Sequence, residues 1–179
     1  MCRRRQQVAL LGARRLRGTR GRHARARGRG GRAGGLAGLP VTLATTTDGQ
    51  TWTARSSPID SSWTNIHFTE DSSFIATSYN ENPGIIIKSE DNGESWSQID
   101  TGLNSTIRGI GGTNGIILAT NYSGDKVVKS VDDGELWTEH TLPANTTWTS
   151  VVGGDGLLLL MTPDGTFFTT EDGEIFSST

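Results

Sequence analysis

The chain has 179 residues and a formal net charge of −2, a small value that conceals two segments of opposite charge. Residues 1–40 contain 12 arginines and no acidic residue, whereas residues 41–179 contain all 19 acidic residues and five basic ones. Cys2 is the single cysteine, which excludes a disulfide within the chain and a cysteine-based zinc site. No apolar run approaches the length of a transmembrane helix, so no membrane span is predicted.

Residues 1–40 form an arm rich in Arg, Gly and Ala that we expect to be disordered, because it is highly charged and has one short apolar cluster at residues 8–11. Three interpretations stay open. The arm resembles an organelle transit peptide but lacks Ser, and an RNA-binding tail but lacks aromatic residues for base stacking. It is also typical of translation upstream of the true start or in a wrong frame. Nucleic acid is therefore not expected as a partner, except through this arm.

A repeat of about 40 residues organises the segment 41–179. It is clearest at residues 89–96 and 130–137, which share the pattern Ser-x-Asp-x-Gly-x-x-Trp. More divergent copies lie at 45–52 and 169–176, and we number the four copies octets 1 to 4 in chain order. Their last residues are separated by 44, 41 and 39 positions: Trp52, Trp96, Trp137 and Phe176.

Each repeat predicts four short β-strands and no helix. For the unit that contains octet 3, strands are expected near residues 106–111, 115–121, 126–130 and 136–140, with the octet as the turn between the last two. Four antiparallel strands per 40 residues are typical of a β-propeller blade. The sequence therefore predicts an all-β chain in which residues 41–179 form about three and a half four-stranded antiparallel blades of a propeller.

The octets resemble Asp-boxes, the BNR repeats of sialidases, sortilin-type receptors, xyloglucan hydrolases and photosystem II assembly factors. The resemblance covers residues 41–179 and implies that each octet forms the hairpin between the third and fourth strands of a blade. It also implies a structural role, rather than a catalytic one, for the box residues: Ser89, Asp91, Gly93 and Trp96; Ser130, Asp132, Gly134 and Trp137; Asp48, Gly49 and Trp52; Asp172, Gly173 and Phe176.

The chemistry of these residue types agrees with a structural role. An aspartate can accept backbone N–H bonds in a tight loop, a glycine can adopt positive φ, and an indole can pack the turn onto the sheet. Thr47 and Glu171 occupy the aspartate position when octets 1 and 4 are aligned on their aromatic residues. We therefore expect those two turns to be held less firmly, with octet 1 relying on Asp48 or a hydroxyl.

The sequence favours a non-catalytic protein. Sialidases of this fold hold the substrate carboxylate with three arginines, and the segment 41–179 contains only Arg55 and Arg108. No pair of carboxylates stands out for another glycoside hydrolase. Neither His67 nor His140 has partners at a recognisable spacing, so no metal and no cofactor is predicted.

The expected function is that of a scaffold that binds protein or glycan, with four possible ligand contacts: Arg55, Arg108, Tyr79 and Tyr122. The alternatives are a truncated sialidase-like glycoside hydrolase and a photosystem II assembly factor-like protein. We expect a fragment of a larger propeller rather than two chains that close one ring, although open sheet edges also permit self-association. The compartment stays open between an extracellular or surface location and a plastid.

Overall fold

The computed structural model describes residues 7–10, 43–79, 81–102, 104 and 106–178. In this part of the chain there are fifteen β-strands and no helix. In chain order they are β1 (Gln7–Leu10), β2 (Leu43–Thr46), β3 (Thr53–Arg55), β4 (Trp63–Phe68), β5 (Phe74–Ser78), β6 (Ile86–Ser89), β7 (Ser97–Ile99), β8 (Ile107–Thr113), β9 (Ile116–Asn121), β10 (Ser123–Ser130), β11 (Thr138–Thr147), β12 (Ser150–Gly154), β13 (Leu157–Met161), β14 (Phe167–Thr170) and β15 (Ser177–Ser178).

The strands form four antiparallel sheets, which we call blades 1 to 4. Blade 1 has three strands in the order β1-β2-β3, and each of the others has four strands in sequence order: β4 to β7, β8 to β11 and β12 to β15. Octets 1 to 4 connect the last two strands of blades 1 to 4, respectively. The predicted all-β fold of about three and a half antiparallel blades is therefore confirmed.

Blade 3 shows how closely the predicted strands match the observed ones. Strands β8, β9 and β10 begin and end within a few residues of the predicted bounds. The exception is β11, which continues to Thr147 instead of ending at His140. The extension pairs with the start of β10, where Ser123 lies opposite Thr147, after a shift of register between Gly124 and Lys126.

Strand β1 lies inside the segment that the sequence assigned to the arm. It pairs with β2 from Gln7 opposite Thr46 to Leu10 opposite Leu43. It also contains most of the arm's single apolar cluster, which is the part of the arm whose composition suits a strand. Four residues of the predicted arm therefore form the first strand of blade 1. The other residues of the expected arm lie outside the described part of the chain.

Three apolar clusters hold neighbouring blades together. Leu43 of blade 1 packs with Trp63, Phe74 and Trp96 of blade 2. The second cluster joins blades 2 and 3, and the third joins blades 3 and 4 around Trp148, whose side chain is fully buried. Because each cluster draws side chains from two sheets, every described blade depends on a neighbour for its core.

The first strands of blades 2, 3 and 4 lie side by side, since β8 contacts both β4 and β12. The approach of β12 to β8 leaves no room for a side chain at Gly153, where an added Cβ would lie 2.2 Å from the carbonyl oxygen of Gly112. Residues near the starts of these three strands are consequently brought to one end of the assembly. That end is where the candidate site lies.

The glycine of octet 3 is part of the contact between blades 2 and 3. Gly134 has φ of +89°, and a Cβ added there would lie 2.5 Å from Cδ1 of Ile75, a fully buried residue of blade 2. Two independent constraints therefore favour glycine at this position: the positive φ of the backbone and the lack of space for a side chain between the blades.

We predict that Gly134→Ala lowers the free energy of unfolding by about 1 kcal/mol more than Gly165→Ala does, because overpacking a core costs that much or more. Gly165 is a matched control, since its φ is +87° and nothing lies within 4 Å of an added Cβ. Both variants carry the same backbone strain, and only the first carries the clash. Equal losses in urea denaturation would contradict the assigned contact between the blades.

Candidate functional site

Octet 2 is closed by a small network of hydrogen bonds. The hydroxyl of Ser89 donates to Oδ1 of Asp91 over 2.9 Å and accepts the backbone N–H of Gly93 over 2.8 Å. The carboxylate of Asp91 also accepts the backbone N–H and the hydroxyl of Ser95. The indole of Trp96 donates to the carbonyl of Gly93 over 3.2 Å. One hydroxyl and one carboxylate thus satisfy the polar groups of a loop that has no ladder partners.

Octet 3 repeats this network, except that Leu136 stands in the place of Ser95 and has no hydroxyl to donate. The hydroxyl of Ser130 donates to Asp132 and accepts the N–H of Gly134, each over 2.8 Å. Asp132 accepts the backbone N–H of Leu136 over 2.9 Å, and Trp137 donates to the carbonyl of Gly134 over 3.0 Å. In both octets the aspartate and the tryptophan therefore form hydrogen bonds within their own turn.

Octet 1 achieves the same bonding with a loop that is one residue shorter. Thr46 donates to Asp48 over 3.0 Å and accepts the N–H of Gly49 over 2.9 Å. Asp48 accepts the backbone N–H of Gln50 and of Thr51. The glycine now directly follows the aspartate, instead of standing two positions after it as in octets 2 and 3.

Octet 4 has the short form as well. Thr170 donates to Asp172 over 2.9 Å, and Gly173 donates its N–H to Thr170 over 2.9 Å. In both short octets, therefore, the carboxylate keeps its place two residues after the hydroxyl. The alignment on aromatic residues put Thr47 and Glu171 at the position of the carboxylate. In the structure, Asp48 and Asp172 occupy that position. Alignment on the hydroxyl would have shown a one-residue deletion.

Hydrogen bonds inside the turns stabilise the ionised carboxylates. Bonds from the hydroxyl and backbone N–H of Ser95 lower the pKa of Asp91 to about 2. Bonds from backbone N–H groups, chiefly those of Thr51 and Ile175, lower the pKa values of Asp48 and Asp172, each to about 2. Groups with such low pKa values are poor proton donors or acceptors near neutral pH, which favours structural roles for them.

Blades 1, 2 and 3 each supply a cation that meets a glutamate in the octet of the following blade, and we call these three contacts the interblade ion pairs. Lys129 of blade 3 donates to Glu174 of octet 4 over 2.8 Å, and Lys88 of blade 2 contacts Glu135 of octet 3. Lys88 is only 3% exposed. Although burial opposes its charge, the hydrogen bond to Glu135 and nearby carboxylates raise its pKa above the ordinary value.

Arg55, predicted as a possible ligand contact, takes part in the first interblade ion pair. Its guanidinium lies 3.6 Å from the carboxylate of Glu94 in octet 2, and its Nε donates to the hydroxyl of Thr45 over 2.9 Å. Thr45 stands where Lys88 and Lys129 stand in the following blades, one residue before the octet hydroxyl. Arg55 on β3 therefore supplies the positive charge that a lysine supplies in blades 2 and 3. It does not lie with the other three predicted ligand contacts, Arg108, Tyr79 and Tyr122.

Arg108, Tyr79 and Tyr122 are brought together at the edge between blades 2 and 3. The guanidinium carbon of Arg108 lies 4.6 Å from the ring centroid of Tyr79 and 5.3 Å from that of Tyr122. The two rings meet edge to face with centroids 5.8 Å apart. Tyr122 is 41% exposed. We call this group the Arg–Tyr cluster.

Backbone hydrogen bonds fix both tyrosines at equivalent positions of their blades. Tyr79 follows β5 and donates its N–H to the carbonyl of Ser62, just before β4. Tyr122 follows β9 and donates its N–H over 2.7 Å to the carbonyl of Thr106, just before β8. Because the positions are one repeat apart, adjacent blades set the two rings side by side, and Arg108, the second residue of β8, lies against both.

A shallow depression of about 310 Å³ adjoins the cluster, lined by Thr64, Asn65, Tyr79, Arg108 and Thr149. The side chain of Asn65 donates to the backbone carbonyl of Arg108 over 2.7 Å and so joins β4 to β8. No carboxylate of the described residues forms an ion pair with Arg108. A guanidinium stacked on aromatic rings, with no described acidic partner, suits an anionic group of a ligand.

Histidines and acidic residues are the other side chains of the described residues that we considered for a site. Among the described residues there is no group of three or more His, Cys, Asp or Glu side chains that could hold a metal ion. His67 is partly buried, and burial lowers its pKa. His140 contacts the hydroxyl of Thr138. Within the same residues, no helix long and apolar enough to cross a membrane is present.

We predict that the free energy of unfolding falls as the pH drops from about 4 toward 2, and that Asp91→Asn makes this fall shallower. A depressed carboxyl pKa stabilises the fold above the unfolded value near 3.8, and the benefit is lost as the pH falls through about 2. Urea denaturation at several pH values measures the slope. Asp60→Asn, outside the octets, is the control, and an unchanged slope for Asp91→Asn would contradict the assignment.

No protein-family model and no curated protein sequence matches the chain, whereas solved structures do. YCF48 from Cyanidioschyzon merolae is similar with a TM-score of 0.59 and 18% identity, over 69% of this chain and 38% of that one. Virginiamycin B lyase from Staphylococcus aureus gives 0.62 and 19%, over 76% and 47%. A structure of YCF48 bound to D1 peptide gives 0.57 and 13%, over 68% and 42%.

The chain thus spans less than half the length of the chain in each of these three structures. At such low identity the likeness concerns the fold and carries over no activity. It agrees with the four antiparallel sheets and with the clusters between them. The described part of the chain is built as a row of β-propeller blades.

Proposed function

We propose that the chain is a non-catalytic β-propeller module that binds a protein segment, and that the Arg–Tyr cluster receives an acidic group of that segment. The observation that carries this proposal is the position of Arg108, stacked on Tyr79 and Tyr122 with no described carboxylate beside it. Arginine and tyrosine, together with tryptophan, are enriched among the residues that contribute most to protein binding. The depression beside them offers room for further contacts.

The octets are, in this proposal, Asp-boxes with a purely structural role. Their carboxylates are occupied by hydrogen bonds of their own turns, as in the pair Ser89 and Asp91. Their glycines and aromatic residues face the turn or the neighbouring blade, as Gly134 does toward Ile75. Recognition is assigned instead to residues near the starts of β4, β8 and β12, where the Arg–Tyr cluster and the depression lie.

A protein segment is preferred to a glycan because one similar structure, YCF48, was solved with a D1 peptide bound. That neighbour has the same fold and lends support to peptide binding as a use of such blades. The second candidate function, a role like that of the photosystem II assembly factors, rests on the resemblance of the octets to the Asp-boxes of those proteins. Arg108 would then bind an acidic side chain or a terminal carboxylate of the partner.

A sialidase-like hydrolase is the less favoured alternative. Recognition of a sialic acid carboxylate in that fold needs several converging guanidinium groups. Arg55 is engaged by Glu94 and Thr45, whereas Arg108 lies in the Arg–Tyr cluster. The two arginines of residues 41–179 therefore have different surroundings, and no described feature supplies the missing partner.

The test uses an array of 12-residue peptides that carry Asp or Glu, with Asn or Gln versions of each peptide as controls. We expect the full chain to retain acidic peptides, and Arg108→Gln to weaken the best of them at least tenfold, a loss of about 1.4 kcal/mol. Arg55→Gln removes the same charge from the blade interface and is expected to lower stability while leaving peptide binding unchanged.

Equal binding by wild type and Arg108→Gln, or equal binding of acidic and amide peptides, would contradict the proposal. A parallel array of sialylated glycans and glycans that contain uronic acid tests whether the ligand is a glycan instead of a peptide. Retention of glycans without peptides would overturn the proposed protein partner. Arg108→Lys tests whether stacking matters in addition to charge, because lysine keeps the charge but lacks the planar group that stacks on both rings.

A further inference from the structure

The depression beside the Arg–Tyr cluster is lined by residues from one equivalent position of three consecutive blades. These residues are Thr64 of blade 2, Arg108 of blade 3 and Thr149 of blade 4, and we call them the blade row. Each directly follows a buried apolar residue near the start of the first strand of its blade: Trp63, Ile107 and Trp148. The repeat therefore brings one side chain per blade to the same depression.

An irregularity of strand pairing occurs at each position of the blade row. In blades 2 and 3 the register between the first two strands shifts by one residue, at Thr64 and at Arg108. In blade 4 the carbonyl of Met161 accepts the N–H of Thr149 over 2.9 Å, although Ser150 is the residue paired with Met161. Because bulges of this kind redirect side chains, the same backbone feature sets the direction of all three residues.

The positions of the blade row are close neighbours, because the residues that follow them join the blades. Asn65 of β4 donates its side-chain N–H to the carbonyl of Arg108 over 2.7 Å. A Cβ added to Gly109 of β8 would lie 3.2 Å from the carbonyl carbon of Ser150 in β12. Cα atoms of β8 come within 8 Å of Cα atoms in both β4 and β12. A single extended segment can therefore reach all three blades.

The hydrogen bonds that the two threonines already make determine what each can offer a ligand. The hydroxyl of Thr149 donates to the carbonyl of Met161 over 2.9 Å, so its oxygen is left to accept. The hydroxyl of Thr64 accepts the side-chain N–H of Asn65 over 3.2 Å and keeps its own hydrogen to donate. In blade order the row thus presents a donor, the guanidinium of Arg108 and an acceptor.

We propose that the partner segment crosses the blades in extended form along the blade row, with its acidic side chain on Arg108 and the side chains two residues to either side on Thr64 and Thr149. In an extended chain alternate side chains face the same way, and two residues advance about 7 Å, close to the distance between adjacent first strands. Small amide or hydroxyl side chains suit the flanking positions, because they both donate and accept. This inference rests on the proposed function and adds the spacing of the residues that are recognised.

A second guanidinium placed in the blade row tests this spacing. Fluorescence anisotropy of the full chain compares three labelled 12-residue peptides of equal composition, in which two aspartates are separated by no, one or two other residues. We expect Thr149→Arg to bind the peptide with one intervening residue about fivefold or more tightly than the other two, because that spacing directs both carboxylates to the row. Thr64→Arg, at an exposed residue on the other side of Arg108, is expected to show the same preference.

Removal of the hydroxyls tests the flanking contacts. Thr64→Val and Thr149→Val keep the branched shape, and each is expected to weaken a peptide with Ser-x-Asp-x-Ser about fivefold, the usual effect of one lost hydrogen bond. Against a peptide with Ala-x-Asp-x-Ala the same variants are expected to bind like wild type. A change that acted only on stability would affect both peptides equally.

Thr141→Arg is the matched control, since it adds the same charge at an exposed residue of the outer strand β11 and is expected to affect the three aspartate peptides equally. A wild-type chain that retains no acidic peptide would contradict the proposed function, and the blade row with it. A wild-type chain that retains acidic peptides, combined with Thr149→Arg and Thr64→Arg variants that show no spacing preference or prefer another spacing, would overturn the blade row alone.

Discussion

A carboxylate that accepts the backbone N–H groups of its own turn is the interaction on which the other contacts depend. In each octet the aspartate stands two residues after a hydroxyl, and together they fix the path of the loop. The loop in turn sets its glycine against the neighbouring blade, where Gly134 meets Ile75. The same hydroxyl and carboxylate pairing closes two other hairpins, at Thr69 with Asp71 and at Thr162 with Asp164. Local turn chemistry therefore determines how blades pack.

Packing between the blades combines apolar and ionic contacts that come from the same strands. Lys88 and Ile75 are cross-strand partners, so the lysine enters the interface together with the aliphatic side chain. A lysine that is 3% exposed needs a partner, and Glu135 of the next octet supplies it. Buried lysines are thus explained by a neighbour about 45 residues away in sequence, and no catalytic role is required for them.

The repeat pattern was sufficient to predict the class of fold, the four strands per unit and the octets as turns. Those features depend on local composition and on a spacing that recurs, and both are visible in sequence. The pairing of Gln7–Leu10 with β2 was not predictable, because it joins segments more than 30 residues apart and the arm's composition favours disorder. The one-residue deletion in octets 1 and 4 was hidden because the aromatic residue was used as the anchor, although Thr46 and Thr170 carry the bonding.

The candidate site was predictable in part. Arg108, Tyr79 and Tyr122 were singled out as contacts, but their meeting at one edge depends on the packing of β8 beside β4, which only the structure shows. Arg55 appeared equivalent to Arg108 because both are rare cations in an acidic segment. Its pairing with Glu94 follows from the absence of a lysine at Thr45, a compensation that requires the register of β2 and β3.

The interblade ion pairs have a consequence for how such a chain can grow or shrink. Because the cation lies in one unit and its glutamate in the next, inserting or deleting a whole unit of about 40 residues adds or removes one complete pair. A break within a unit, between Lys129 and its octet for example, would leave one charge without a counterpart. Gene duplication of entire units therefore conserves electrostatic balance automatically, and the number of blades can change without any compensating substitution.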